Sequence, residues 1–151
     1  MVTPRLKQLL DNNHVRYQAI PHPTAYDSQR TAEAAHVSGH GFAKTVIVKA
    51  DGRLCMAVLP ASERVHLDAL RDGLGARDVE LADEDEMRRA FPDCDVGAMP
   101  PFGEMYGMEV FVNPRLRKDE EIAFNAGSHD ELLLIRYQDY ERLAHPNPLR
   151  F

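Results

Sequence analysis

The sequence predicts an α+β fold built on a mixed β-sheet, and three observations lead there. Short apolar runs of strand type are mixed with segments of helical periodicity, and several of the strands are joined as hairpins. Two of those runs, residues 45–49 and 54–59, flank Ala50-Asp51-Gly52-Arg53, and Asp-Gly between apolar runs is a strong hairpin signal. No internal repeat, low-complexity tract or linker breaks the 151 residues, so 1–151 reads as a single domain long enough to bury a core.

The elements follow in order. Thr3-Pro4 opens a helix, because threonine can cap and proline is tolerated at the first helical position. Leu6, Leu9 and Leu10 continue it at helical spacing, and Asp11-Asn12-Asn13 ends it. Residues 15–20 alternate enough for a short strand, closed by Pro21-His22-Pro23. Asp27 or Ser28 caps a second helix through Ala32, Ala34 and Ala35, broken by Ser38-Gly39-His40-Gly41. The nearly unbroken apolar character of the two hairpin runs predicts central strands covered on both faces. A helix over 67–74 ends at Gly73 or Gly75, and 79–81 is a short strand. Asp83 caps a helix through Met87 and Phe91 that Pro92 stops. Residues 108–112 form a strand, and Asn113-Pro114 leads into a short helical turn over 115–119. Two strands, 121–124 and 132–135, follow, and a helical piece over 139–143 precedes a proline-containing tail.

Composition narrows the function classes. Hydrophobic content of 44% and charged content of 28% are those of an ordinary soluble domain. No apolar run approaches the ~20 residues of a membrane span, and the N-terminus lacks the apolar region of a signal peptide. Cys55 and Cys94 stand apart with no CxxC, and Cys55 reads as a buried small hydrophobe, so a disulfide framework is not expected. Together these features predict a cytoplasmic protein. The net charge of −6, with short basic runs interleaved with acids, argues against extended DNA or other duplex binding but leaves room for a few phosphates at a strand end. The histidines His14, His22, His36, His40, His66, His129 and His145 show neither HExxH nor paired zinc-type spacing, so no metal and no cofactor is expected. A nucleophile elbow of GxSxG form is also missing.

Three segments carry chemical potential. Gly97-Ala98-Met99-Pro100-Pro101-Phe102-Gly103 is flexible at its ends and stiff in its middle, a loop able to approach a ligand closely. Lys44, in Ala43-Lys44-Thr45, stands at the mouth of an otherwise apolar strand, a cation able to hold a phosphate or polarise a carbonyl. Asn125-Ala126-Gly127-Ser128-His129 is a second small-residue loop, between two strands.

With Leu59-Pro60 after the hairpin, these segments resemble, in order and spacing, the YbaK/prolyl-tRNA-synthetase-associated editing domain family of small aminoacyl-tRNA deacylases, from about Tyr17 to Leu143. The resemblance implies a mixed, barrel-like sheet flanked by helices, with a pocket where the segments meet. It implies that Lys44, Gly127, Ser128 and His129 are catalytic. Thr45 and the loop Gly97, Ala98, Met99, Pro100, Pro101, Phe102 and Gly103 would bind substrate. Some subfamilies carry asparagine directly after the lysine where this chain has Thr45, so amino-acid specificity does not transfer. The synthetase-linked version is an inserted domain, whereas this chain is expected to act in trans. The partners implied are the acceptor end of aminoacyl-tRNA and an aminoacyl-tRNA synthetase.

The chemistry suits such residues. An aminoacyl ester is already reactive, so the site must hold it, orient a water and stabilise the oxyanion. Loop N–H groups near Gly97, Gly103 and Gly127 are expected to face the carbonyl, each such donor contributing roughly 10²–10³ in rate. Lys44 would bind the terminal ribose-phosphate or the carbonyl, and water would attack with help from a ribose hydroxyl or His129. Met99 and Phe102 would wall a pocket admitting alanine, serine or threonine, since binding alone separates one methylene by only ~1–3 kcal/mol. A rival reading keeps the pocket but removes turnover: a non-catalytic module sensing an aminoacyl-tRNA end or small ligand.

Overall fold

A computed structural model of the chain describes residues 2–21, 41–118 and 120–151. The expected second helix through Ala32–Ala35, and His22, His36 and His40, lie outside the described residues.

The first helix, α1, spans Pro4–Asn12, with Pro4 at its start and the Thr3 hydroxyl accepting from Leu6 N at 3.4 Å. Strand β1 covers Tyr17–Pro21. The hairpin joins β2 (Ala43–Ala50) to β3 (Arg53–Pro60) through Asp51 and Gly52, whose φ of 48° and 83° are the two positive angles a tight type I′ turn demands. The Asp51 carboxylate also accepts from Arg77 N and Asp78 N, tying this turn to the chain beyond the next helix. Helix α2 is Leu67–Leu74, ended by Gly75 in the left-handed region. Strand β4 is Val79–Leu81, and helix α3, Glu84–Ala90, opens with a capping box between Asp83 and Glu86. A 3₁₀ turn at Gly103–Tyr106 precedes β5 (Val110–Val112), and another, Pro114–Lys118, follows it. Strands β6 (Glu121–Asn125) and β7 (Glu131–Arg136), helix α4 (Tyr137–Ala144) and the short β8 (Asn147–Pro148) complete the chain.

The strands form two sheets, ordered β1-β7-β6 and β4-β2-β3-β5-β8. The hairpin strands are central in the larger sheet, as their apolar sequences predict, and β3 is buried from Cys55 to Pro60. The class is α+β with a mixed sheet: β2 pairs antiparallel with β3 and β4, while β3–β5 and β5–β8 are parallel. Among the described residues no sheet closes into a barrel. Instead one bridge, parallel and between Phe42 and Ala123, joins the sheets, supported by Ala123 N donating to Gly41 O at 2.9 Å.

That junction sorts the core. Ile47, Met56 and Val58 face the largest apolar cluster, which includes Met99, Phe102, Phe124 and Tyr140. The alternate residues Val48, Cys55, Ala57 and Leu59 face Leu70 and Phe151. Phe42, Ala61, Ala123 and Leu132 form a third cluster at the junction. Strand side chains alternate between faces, so each residue's parity fixes which cluster it meets.

Candidate active site

The two loops singled out in the sequence come together. Gly127 N donates to Ala98 O at 2.9 Å, and Asp95 N donates to Gly127 O at 2.8 Å. His129 Nε2 lies 2.7 Å from Val96 O, and His129 N donates to an Asp95 carboxylate oxygen at 3.3 Å. Since a carbonyl can only accept, the His129 proton sits on Nε2. The first loop is anchored beyond this contact as well. Arg5 on α1 donates to Asp93 and to Met105 O, with its guanidinium 4.6 Å over the Tyr106 ring. Tyr106 OH in turn donates to Asp93 at 3.1 Å.

The three glycines have three different reasons to be glycine. Gly127 has φ +108°, and a Cβ there would collide with Thr3 Cγ2. A side chain at Gly103 would collide with Met108 O, because the 3₁₀ turn packs directly on the strand approach. Gly97, with φ +86°, has only ordinary contact with the His129 ring and is exposed. The expectation of donors near all three narrows accordingly. The Gly127 N–H is already bonded to Ala98 O, whereas among the described residues the Gly97 N–H meets only the Met99 sulfur at 3.3 Å, a weak acceptor.

The apolar half of the first loop points inward. Phe102 is 1% exposed and sits edge-on to Phe124 and Tyr140, at centroid distances of 5.6 and 5.4 Å. Met99 and Ala98 are buried, and Pro100 and Pro101 with them. These side chains hold the loop onto the main core.

Lys44 is placed differently. It pairs with Leu59 across the hairpin, on the face opposite to the one that Thr45 shares with Val58 and the Phe102 cluster. The bridge from Phe42 to Ala123 lies two residues before Lys44 and two residues before Asn125, the last residue of β6, which leads into the second loop. Partial burial lowers the Lys44 pKa, the Arg64 charge lowers it further, and Glu63 opposes them. Ser128 donates to the Asp130 carboxylate. Sequence reasoning named Asn125 as the start of the second loop but gave it no role; it is 7% exposed and has its carboxamide oxygen buried without a partner among the described residues. Its signal was a polar side chain ending an apolar strand, Ile122-Ala123-Phe124-Asn125.

The fold is shared with solved structures. Over 99% of this chain it superposes on a proposed trans-editing enzyme for prolyl tRNA synthetase, with a TM-score of 0.83 at 15% identity and 98% of that chain covered. The crystal structure of hypothetical protein APE2540 gives a TM-score of 0.86 at 17% identity, covering 97% of both chains. In sequence, the aminoacyl-tRNA editing domain family matches residues 22–143, and the chain belongs to that family of deacylases, which are ester hydrolases. A relative from Escherichia coli K12, the multifunctional Ser/Thr-tRNA deacylase ProXp-y, is 27% identical over 97% of this chain and 90% of its own length. The relative of that name from Escherichia coli O157:H7 matches to the same extent. No helix among the described residues is long and apolar enough to cross a membrane.

Proposed function

We propose that this chain is one editing domain that removes small amino acids, serine and threonine first and alanine next, from mischarged tRNA in the cytoplasm. The observation that carries the reading is the pair of glycine loops stitched together beside the strand that bears Lys44. The likeness to a Ser/Thr-tRNA deacylase supports the choice of substrate.

Lys44 is a cation already partly stripped of water, so binding a phosphate or a polarised carbonyl costs it less further desolvation. The Gly97 N–H exchanges the Met99 sulfur for the oxyanion, a far better acceptor, as charge develops. His129 uses its Nε2 proton to clamp the two loops, which favours a shaping role over that of a base. Water then attacks the ester, aided by the neighbouring ribose hydroxyl, and the ester C–O bond breaks to release amino acid and tRNA. The acceptor end is the part of the tRNA engaged, and a net charge of −6 keeps the number of phosphate contacts small. A synthetase would hand over the mischarged product.

The test is a deacylation panel of tRNAs carrying serine, threonine, alanine or cysteine, with wild type beside Lys44→Ala. The expected result is turnover of serine and threonine esters by wild type and a loss of about 10²-fold or more in the variant, the scale of removing one preorganised charge-stabilising group. Undiminished activity in Lys44→Ala removes this mechanism. Binding of an aminoacyl-adenosine analogue without turnover by wild type replaces it with a sensing role.

A further inference from the structure

Three buried side-chain polar atoms lack a partner among the described residues: Asn125 Oδ1 and the hydroxyls of Tyr137 and Tyr140. The two tyrosines belong to the aromatic core, where Tyr140 stacks against Phe102 and Tyr137, and burial of their large rings accounts for them. Asn125 lacks that explanation. It offers little apolar surface, and an orphaned buried acceptor destabilises the fold.

Its position gives the cost a purpose. Asn125 pairs with Leu132 on β7, and Ala123 with Leu134, so Asn125 shares its face with the junction cluster of Phe42, Ala61, Ala123 and Leu132. Phe42 and Ala123 are bridged in parallel. Two residues further along each strand stand Lys44 and Asn125, each on the face its bridged neighbour occupies. The strand containing Asn125 runs directly into the Gly127-Ser128-His129 loop. A cation and an empty neutral acceptor thus flank the same end of the sheet junction.

The chemistry of that pair selects a ligand group. An ammonium is a poor candidate, because the acceptor is uncharged, its surroundings are apolar and Lys44 would repel it. A hydroxyl suits both neighbours: it donates to a carboxamide oxygen and accepts from an ammonium. Resting on the deacylase reading above, we propose that Asn125 Oδ1 accepts a hydrogen bond from a substrate hydroxyl, either the side chain of esterified serine or threonine or the ribose hydroxyl next to the ester. Asn125 is then a specificity-determining residue, and its cost to the unliganded fold is offset when substrate binds.

The experiment compares wild type with Asn125→Leu, which has similar volume and no acceptor, and Asn125→Ala as a second variant. The substrates are serine-tRNA, alanine-tRNA, and serine-tRNA ending in 2′-deoxyadenosine. If the side-chain hydroxyl is the ligand, both variants lose about tenfold in kcat/KM for serine and leave alanine unchanged, which collapses the serine-to-alanine ratio. If the ribose hydroxyl is the ligand, serine and alanine fall together by about tenfold while the 2′-deoxy substrate is insensitive. The Leu variant is expected to melt no lower than wild type, since removing an orphaned acceptor relieves the fold. Equal losses on all three substrates, or no loss on any, overturn the proposal. Absence of turnover by wild type overturns the deacylase reading and this inference with it, whereas wild-type turnover with indifferent variants sinks this inference alone.

Discussion

The two faces of the central sheet around the loops are built on different principles. On one, Phe102, Phe124 and Tyr140 interlock edge to face, and Met99 and Ile47 fill the space around them. On the other, at the junction of the two sheets, Lys44 is only partly buried and Asn125 carries an unanswered acceptor. The first face buries large aromatic rings, whose packing outweighs the unpartnered hydroxyls of Tyr137 and Tyr140, and it braces the first glycine loop. The second carries a cation and a carboxamide acceptor that no such ring packing accounts for, and these are the groups the proposed site uses. A loop such as 97–103 can thus divide its roles, with its apolar middle in the core and its exposed Gly97 end toward the second loop.

Substitutions that separate the faces should separate stability from activity. The largest expected effect is on the packed face. Phe102→Ala should cost about 3–5 kcal/mol of stability through the cavity left beside the Phe124 and Tyr140 rings, read as a lowered denaturant midpoint. A midpoint within experimental error of wild type would show that the loop is not braced by this ring.

A smaller effect is expected where the loops meet α1. Gly127→Ala should destabilise by about 1–3 kcal/mol, because the backbone is left-handed there and the new methyl collides with Thr3 Cγ2. Thr3→Ser removes that methyl and keeps the capping hydroxyl, so the double variant should recover part of the loss. Additive losses in thermal melts would contradict the close contact.

The smallest expected effect is on the pH profile, at the polar face. Burial holds the Lys44 pKa below the ordinary lysine value, so the charged form is lost at lower pH than for a free lysine. Activity that needs the ammonium is present below that pKa and falls as pH rises through it, so the alkaline limb should lie below 10.5. The stability contribution has the opposite sign. The unfolded chain holds this proton more tightly than the folded one, so folding stability gains from this group as pH rises through the same window. Replacing Arg64 with glutamine should move the limb upward, because Arg64 is the second cause of the depression after burial. An unmoved limb would detach Lys44 from the profile.

Much of the fold was legible because its signals are local. Thr3-Pro4, Asp51-Gly52 and the Asp83 cap each act within a few residues, and each forms as read. The central position of the hairpin strands followed from their unbroken apolar sequences. The parallel pairing of β5 with β3 and β8 was not legible, nor was the strand at Asn147–Pro148, since these partners lie far apart in sequence and β8 has only two residues. At the site, the sequence pointed to both loops and to Lys44. It could not assign faces, because the parity of Lys44 relative to Thr45 acquires meaning only once β2 pairs in register with β3. Phe102 read as a pocket wall for the same reason: an apolar residue in a glycine-proline loop gives no hint that Phe124 and Tyr140 wait on the inner side. Asn125 was named with the second loop but given no role, because its lack of a partner is a property of the folded state.

The most direct test of this division is the specific activity of Lys44→Ala beside that of Phe102→Leu on serine-charged tRNA, each normalised to folded protein. The account predicts a loss of about 10²-fold or more for Lys44→Ala at near wild-type stability, with Phe102→Leu less stable yet within a few-fold of wild-type turnover. Full turnover by Lys44→Ala, with Phe102→Leu folded and inactive, would place the chemistry on the opposite face and contradict it.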